Sequence, residues 1–168
     1  IYNTFSYHFA PAGIMVDNGA RALGCAVFPA GTGQTELQVA TLADLKPQGY
    51  VGTPSFLKIL LDKAREAGAD LSSVRNALVS AEALPASLRA QLKERGVRVL
   101  QCYTTADLGA VAYESEAMEG LIVSEGLLVE IVRPGTGDPV ADGEVGEVVV
   151  TNTLTPEYPL MRLATGDL

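Results

Sequence analysis

An α/β fold is predicted here: alternating helices and strands building a parallel sheet covered by helices, followed by a small, mostly antiparallel β region. Three observations carry that expectation. Helical and strand-like patterns alternate from residue 1 to about 108. Each helical stretch runs roughly ten residues, a crossover length that returns the chain to a parallel neighbour. Past Leu108 the helical period vanishes, and only short apolar runs between turn residues remain. Two units are therefore expected, an α/β unit over 1–108 and a β-rich, barrel-like unit over 109–168.

The elements follow in order. Ala12 to Leu23 reads as a helix entered through Pro11 and stopped by Gly24. Cys25 to Phe28 reads as a short buried strand. Thr35-Glu36-Leu37-Gln38 has the spacing of a capping box. Leu37, Ala40, Leu42 and Leu45 form an apolar face behind it, and Pro47 helps to end that helix. Tyr50 to Gly52 is the next strand. Thr53-Pro54 opens a helix whose face is expected at Phe56, Ile59, Leu60, Lys63, Ala64 and Ala67, with Gly68 as its stop. Ala77 to Ser80 is strand-like, Pro85 to Arg95 a helix closed by Gly96, and Val97 to Tyr103 a strand. Beyond Leu108 the strand candidates are 111–114, 121–124, 127–133, 146–152 and 160–163. Turns come from 134–139 and from Asp142-Gly143.

Composition narrows the function classes. The chain has 168 residues, 48% hydrophobic and 19% charged, as a globular protein does. Its net charge of −8 argues against a surface that tracks nucleic-acid phosphates. No apolar run approaches the about 20 residues of a membrane-spanning helix. Cys25 and Cys102 lie far apart, without metal-ligand or disulfide spacing, so two small buried residues and a reducing cytoplasm are expected. The chain opens without Met at Ile1 and closes at Leu168 directly after a patterned stretch, so both ends are expected to be cuts through a longer protein. A homodimer remains open, since a cut piece exposes apolar surface.

In parallel sheets ligands gather beyond the carboxyl ends of strands, which directs attention to the loops after Ser80 and Tyr103. Ser80-Ala81-Glu82-Ala83-Leu84-Pro85 joins a strand to a helix, Tyr103-Thr104-Thr105-Ala106-Asp107 follows a buried strand, and Leu163-Ala164-Thr165-Gly166-Asp167 closes the chain. In that order they resemble the G-A-E-P, Y-G-x-T-E and Y-R-T-G-D motifs of the adenylate-forming superfamily. The Val132 to Val150 stretch resembles the superfamily's hairpin that leads to Y-R-T-G-D, and Ala22-Leu23-Gly24, Gly31 to Gln38 and Gly52-Thr53-Pro54-Ser55, in order, are similar to its phenylacetate–CoA ligase-like branch.

The resemblance implies an ATP-dependent acid–CoA ligase that activates a small aryl or acyl carboxylic acid as an adenylate and transfers it to CoA. ATP/AMP, Mg²⁺ and CoA would be its cofactors. It also implies a nucleotide site: Ala81, Glu82 and Ala83 reading adenine through their backbone, and Gln101, Cys102, Tyr103, Thr104 and Thr105 along the strand and loop beside it. Tyr103 would stack on the base, and Asp167 would accept from the two ribose hydroxyls. Asp107 would help to hold Mg²⁺, a hard ion that takes oxygen ligands. His8, Phe9 and Ala10 would line the acid pocket.

Each residue taken singly has a plainer reading. Asp167 is then a turn residue, Tyr103 a strand-end packing residue, Glu82 a solvated acid or a helix N-terminal charge, Asp107 the start of a turn before Gly109, and His8 a core or surface histidine. The pattern also departs from the family. Ala106 stands where Thr or Ser is usual, with Thr104 and Thr105 close enough to substitute; Asp107 replaces Glu; Ala164 replaces Arg, with Arg162 nearby. The family's phosphate-binding loop and catalytic Lys are not in the chain, so catalytic residues are unknown within it and the piece alone is expected to be inactive. The alternative is a non-catalytic nucleotide- or acid-binding module built on the ligase fold. A dinucleotide-binding fold is disfavoured because no G-x-G-x-x-G follows an early strand.

Overall fold

The computed structural model describes residues 1–168. In chain order the elements are β1 (Tyr2–Asn3), α1 (Ala12–Ala22), β2 (Phe28–Pro29), α2 (Thr35–Leu45), β3 (Gly49–Gly52), α3 (Pro54–Ala67), β4 (Asn76–Val79), α4 (Ala86–Glu94), β5 (Arg98–Thr105), β6 (Gly109–Glu114), β7 (Leu121–Val123), β8 (Leu127–Val132), β9 (Glu147–Asn152) and β10 (Leu163–Ala164). A seven-stranded sheet has the order β2-β1-β3-β4-β5-β6-β7, and a three-stranded sheet the order β10-β9-β8. Pairing is parallel from β2 to β5 and antiparallel from β5 to β7. The change of pattern at Leu108 thus marks a reversal of pairing direction inside one sheet, and the second sheet starts at Leu127.

The order in which the chain adds parallel strands reverses between β1 and β3, a switch point that opens a crevice at the strands' carboxyl ends. One face of the sheet is well covered. Tyr2, Tyr50, Val79, Val97 and Val99 pack against Val39 and Leu42 of α2, Leu57 and Leu60 of α3, and Leu92 of α4. On the other face lies α1, and an apolar groove runs beside it along the sheet.

Local chemistry explains most boundaries. Thr53 accepts from the Phe56 N–H and caps α3, Pro54 occupies its first turn, and Gly68 ends it at φ 67°. Gly24 and Gly96, just beyond the ends of α1 and α4, also take positive φ. Some expectations change. The buried face of α3 is Pro54, Leu57, Leu60 and Ala64, which leaves Ile59 exposed. The capping box at Thr35 does not form. Gln34 is the cap in a left-handed conformation, and the buried Gln38 amide donates instead to the carbonyls of Gly31 and Gly33. Cys25 to Val27 are not a strand. Only Phe28–Pro29 pair with β1, at a sheet edge that tolerates the missing N–H of proline, and Phe28 stacks on Tyr2. Of 160–163, only Leu163 joins a strand, with Ala164.

Gly52 stands where the side chains of Thr4 and Tyr50 crowd the backbone. A Cβ there would lie 1.9 Å from Thr4 Oγ1 and 2.5 Å from the Tyr50 hydroxyl. Those two oxygens are 2.9 Å apart, and the Tyr50 hydroxyl donates to the Thr53 carbonyl at the start of α3. Gly52→Ala is therefore expected to destabilise the fold by about 1–3 kcal/mol, read as a lower urea midpoint with unchanged slope.

Burial pushes the Tyr2 hydroxyl up from 10.0 to about 12. The folded state holds this proton more tightly than the unfolded chain does. The associated stability is complete below pH about 10 and is lost as pH rises toward about 12. Tyr2→Phe is expected to make the alkaline fall in stability shallower, measured by urea titrations between those pH values.

Candidate functional site

Three loops meet at the carboxyl edge of the large sheet. The first leaves β4 through Ser80, which is almost fully buried. Its hydroxyl donates to the Cys102 carbonyl at 2.8 Å and lies 3.0 Å from Thr104 Oγ1. Since the Ser80 proton is committed to Cys102, Thr104 is the donor in the second bond. Ala81 follows at φ 66°, a left-handed conformation that costs a residue with a Cβ about 1–2 kcal/mol. Glu82 turns its carboxylate toward the first turn of α3, accepting from Ser55 Oγ at 2.9 Å and from the Ser55 N–H at 3.4 Å. No backbone N–H or C=O of Ala81, Glu82 or Ala83 is hydrogen-bonded within the protein, and all three residues are exposed. Leu84 buries and closes the loop.

The second loop belongs to β5, where a β-bulge between Tyr103 and Thr104 shifts the register against β6. Such bulges re-aim side chains beside functional sites. The Tyr103 hydroxyl donates to Asp167 Oδ2 at 2.5 Å. Burial raises the Tyr103 pKa above 10.0, and the bond to Asp167 adds to that shift. Thr105 Oγ1 accepts from the Leu108 N–H, which leaves its own proton free to donate. Asp107 lies exposed in the turn that follows. No group of three or more His, Cys, Asp or Glu is placed to hold a metal ion, so Asp107 offers one carboxylate without protein co-ligands. Burial pushes the Cys102 thiol up, and the residue lines the apolar groove.

The third loop leaves β10, which pairs with β9 through Leu163 and Ala164. The Val148 N–H donates to the Asp167 carbonyl, the Thr165 N–H to the Val148 carbonyl, and the Asp167 N–H to Thr165 Oγ1. Asp167 is thus held by its backbone while its side chain reaches Tyr103. Arg162, near the position where the family has arginine, points elsewhere: it binds Glu130 and the Gly137 carbonyl.

Gln101 has a different role from the other strand residues. Its N–H and its side-chain amide both donate to Glu114, at 3.0 Å each. Arg89 binds the same carboxylate at 2.6 Å and the Val99 carbonyl at 2.8 Å. This cluster joins α4, β5 and β6 directly behind Tyr103. No local pattern marks it, because its members are up to 25 positions apart.

The expected acid pocket is not one cavity. His8 lines a cleft of about 190 Å³ with Ser6, Tyr7 and residues 29–32. Ala10 lines the groove of about 940 Å³ between α1 and the sheet, and Phe9 is fully exposed at φ 54°. The groove passes Met15, Gly19 and Leu100 and reaches Ser80, Ala81 and Thr104 to Ala106. The α1 residues facing it were legible only as an apolar helix.

Glu114→Ala is expected to cost about 3 kcal/mol, because it leaves Arg89 without its charge partner and the Gln101 N–H unpaired. Urea unfolding of the variant beside Glu114→Gln, which keeps the acceptor, measures it.

Residues 3–158 match the family described as AMP-binding enzyme. The chain is 31% identical over 175 residues to a phenylacetate-coenzyme A ligase of Thermus thermophilus, covering 100% of this chain and 39% of that protein. It is 32% identical over 179 residues to that of Escherichia coli, covering 100% of this chain and 40% of the relative. The chain therefore spans about two fifths of the length of these curated relatives. An open conformation of 2-hydroxyisobutyryl-CoA ligase, solved with 2-HIB-AMP and CoA, superposes with a TM-score of 0.83 at 22% identity, over 99% of this chain and 39% of that one. At that identity the likeness speaks for the fold. The family match runs through the large sheet from Asn3 onward and through β8 and β9 of the small one, and on it the chain belongs to the AMP-binding enzyme family.

Proposed function

We propose that the longer protein of which this chain is part is an ATP-dependent acid–CoA ligase. In the first step a carboxylate oxygen of the acid attacks the α-phosphorus of ATP and pyrophosphate leaves. In the second the CoA thiolate attacks the acyl carbon, and AMP leaves with its electron pair. The residues here would bind and orient. The free backbone groups of Ala81 to Ala83 would meet the adenine edge, and the Tyr103 ring would stack on it. Asp167 would accept from the ribose hydroxyls, and Thr105, whose proton is uncommitted, would donate to the α-phosphate in place of the usual residue at Ala106. Asp107 would share Mg²⁺ with the nucleotide phosphates, since that ion commonly takes one or two carboxylates beside phosphate oxygens. The apolar groove ending at Ala81 and Ala106 would seat an apolar acid. Cys25 and Cys102 are both free thiols, in keeping with a reducing cytoplasm.

The observation that carries this reading is direct contact among the three motif loops: Ser80 with Thr104, and Tyr103 with Asp167. ATP–pyrophosphate exchange in the full-length protein, assayed across aryl and alkyl acids, tests it. Acid-dependent exchange is expected. Asp167→Ala should lower kcat/KM for ATP by about 10–100-fold, the loss of charge-assisted hydrogen bonds worth about 1.5–3 kcal/mol. Absence of exchange with every acid would refute the ligase reading.

A further inference from the structure

The adenine-facing loop is a strained segment held from both sides. Ala81, which carries a Cβ, sits at φ 66°. On one side of it Ser80 is bolted to β5 by its hydroxyl and to β3 by its N–H, which donates to the Gly52 carbonyl. On the other side the Glu82 carboxylate is drawn to the amino end of α3, where it meets both the N–H and the hydroxyl of Ser55. The helix dipole favours an anion there, and no cation pairs with Glu82 elsewhere. Between these anchors the backbone polar groups of residues 81–83 have no protein partner. These residues are exposed, so water satisfies the groups until a ligand takes its place.

We propose that Glu82 is a positioning residue: through Ser55 it holds Ala81 in the left-handed conformation that keeps the backbone groups of residues 81–83 preset for a purine edge. The inference rests on the nucleotide reading above. It also adds to it, because the Glu82 carboxylate then acts without touching the nucleotide, and Ser55, which lies on a different element, belongs to the same device.

The experiment compares Glu82→Ala, Ser55→Ala, the double variant and Glu82→Ala/Ala81→Gly in the full-length protein. AMP affinity is measured by calorimetry, and amide hydrogen exchange over residues 78–86 by mass spectrometry. Each single variant is expected to weaken AMP about tenfold. The double variant should be no weaker than Glu82→Ala, since the hydroxyl bond that Ser55→Ala removes is already lost there. Adding Ala81→Gly should restore at least threefold, because glycine adopts φ 66° without penalty. Exchange at Ser80, whose N–H is bonded to Gly52 at the edge of the loop, should quicken about tenfold in both single variants without AMP, while β5 is unchanged and the unbonded amides of 81–83 exchange freely throughout. Additive losses, or a silent Ser55→Ala beside a weakened Glu82→Ala, would mean that Glu82 contacts the nucleotide itself and would overturn the proposal. Ser80 exchange unchanged in both variants would overturn it too. If the wild type binds no AMP, the nucleotide reading fails on its own, and the exchange data still decide whether Glu82 and Ser55 hold the loop.

Discussion

The hydrogen bond from the Tyr103 hydroxyl to the Asp167 carboxylate, 64 positions apart in the chain, ties the carboxyl end of the large sheet to the last loop of the small one. Everything in the candidate site that spans the two sheets depends on that approach. It requires β5 to bulge at Tyr103, and it requires Asp167 to be pinned by its backbone to Val148 on β9. Asp167 Oδ1 stays uncommitted. Each carboxylate oxygen can accept two hydrogen bonds, so a ribose could engage both oxygens while Tyr103 stays at Oδ2.

Behind this contact the structure is stiff where it has to be. Glu114 collects Arg89, the Gln101 side chain and the Gln101 N–H, and so locks α4, β5 and β6 together one residue before Cys102 and two before Tyr103. Ser80 locks the ends of β4 and β5. Rigid strands then present short loops, and the loops keep unpaired backbone groups at the surface. A fold that leaves those groups open loses no buried hydrogen bond, since the residues bearing them are exposed.

Much of this was readable in the residues. The glycines at 24, 68 and 96 take positive φ where helix stops were expected, because few other residues enter that conformation cheaply. The parallel strands followed from helical periodicity, while its loss at Leu108 marks a change of pairing within the large sheet, the second sheet starting only at Leu127. The three motif loops fell at strand ends and proved to touch. What local pattern missed is tertiary in origin. Thr35 heads a capping sequence, yet Gln38 finds better acceptors on Gly31 and Gly33, so the box is overridden. His8, Phe9 and Ala10 are adjacent in sequence but turn to different surroundings, because Phe9 adopts a left-handed backbone. Ser55 read only as part of a helix start, and nothing local tells that Glu82, 27 positions on, returns to it.

The central claim is that the three loops form one nucleotide site. A crystal structure of the full-length protein with AMP tests it most directly. The adenine edge is expected against the backbone of residues 81–83, with the Tyr103 ring on its face and the Asp167 carboxylate on the ribose. AMP bound elsewhere would contradict it.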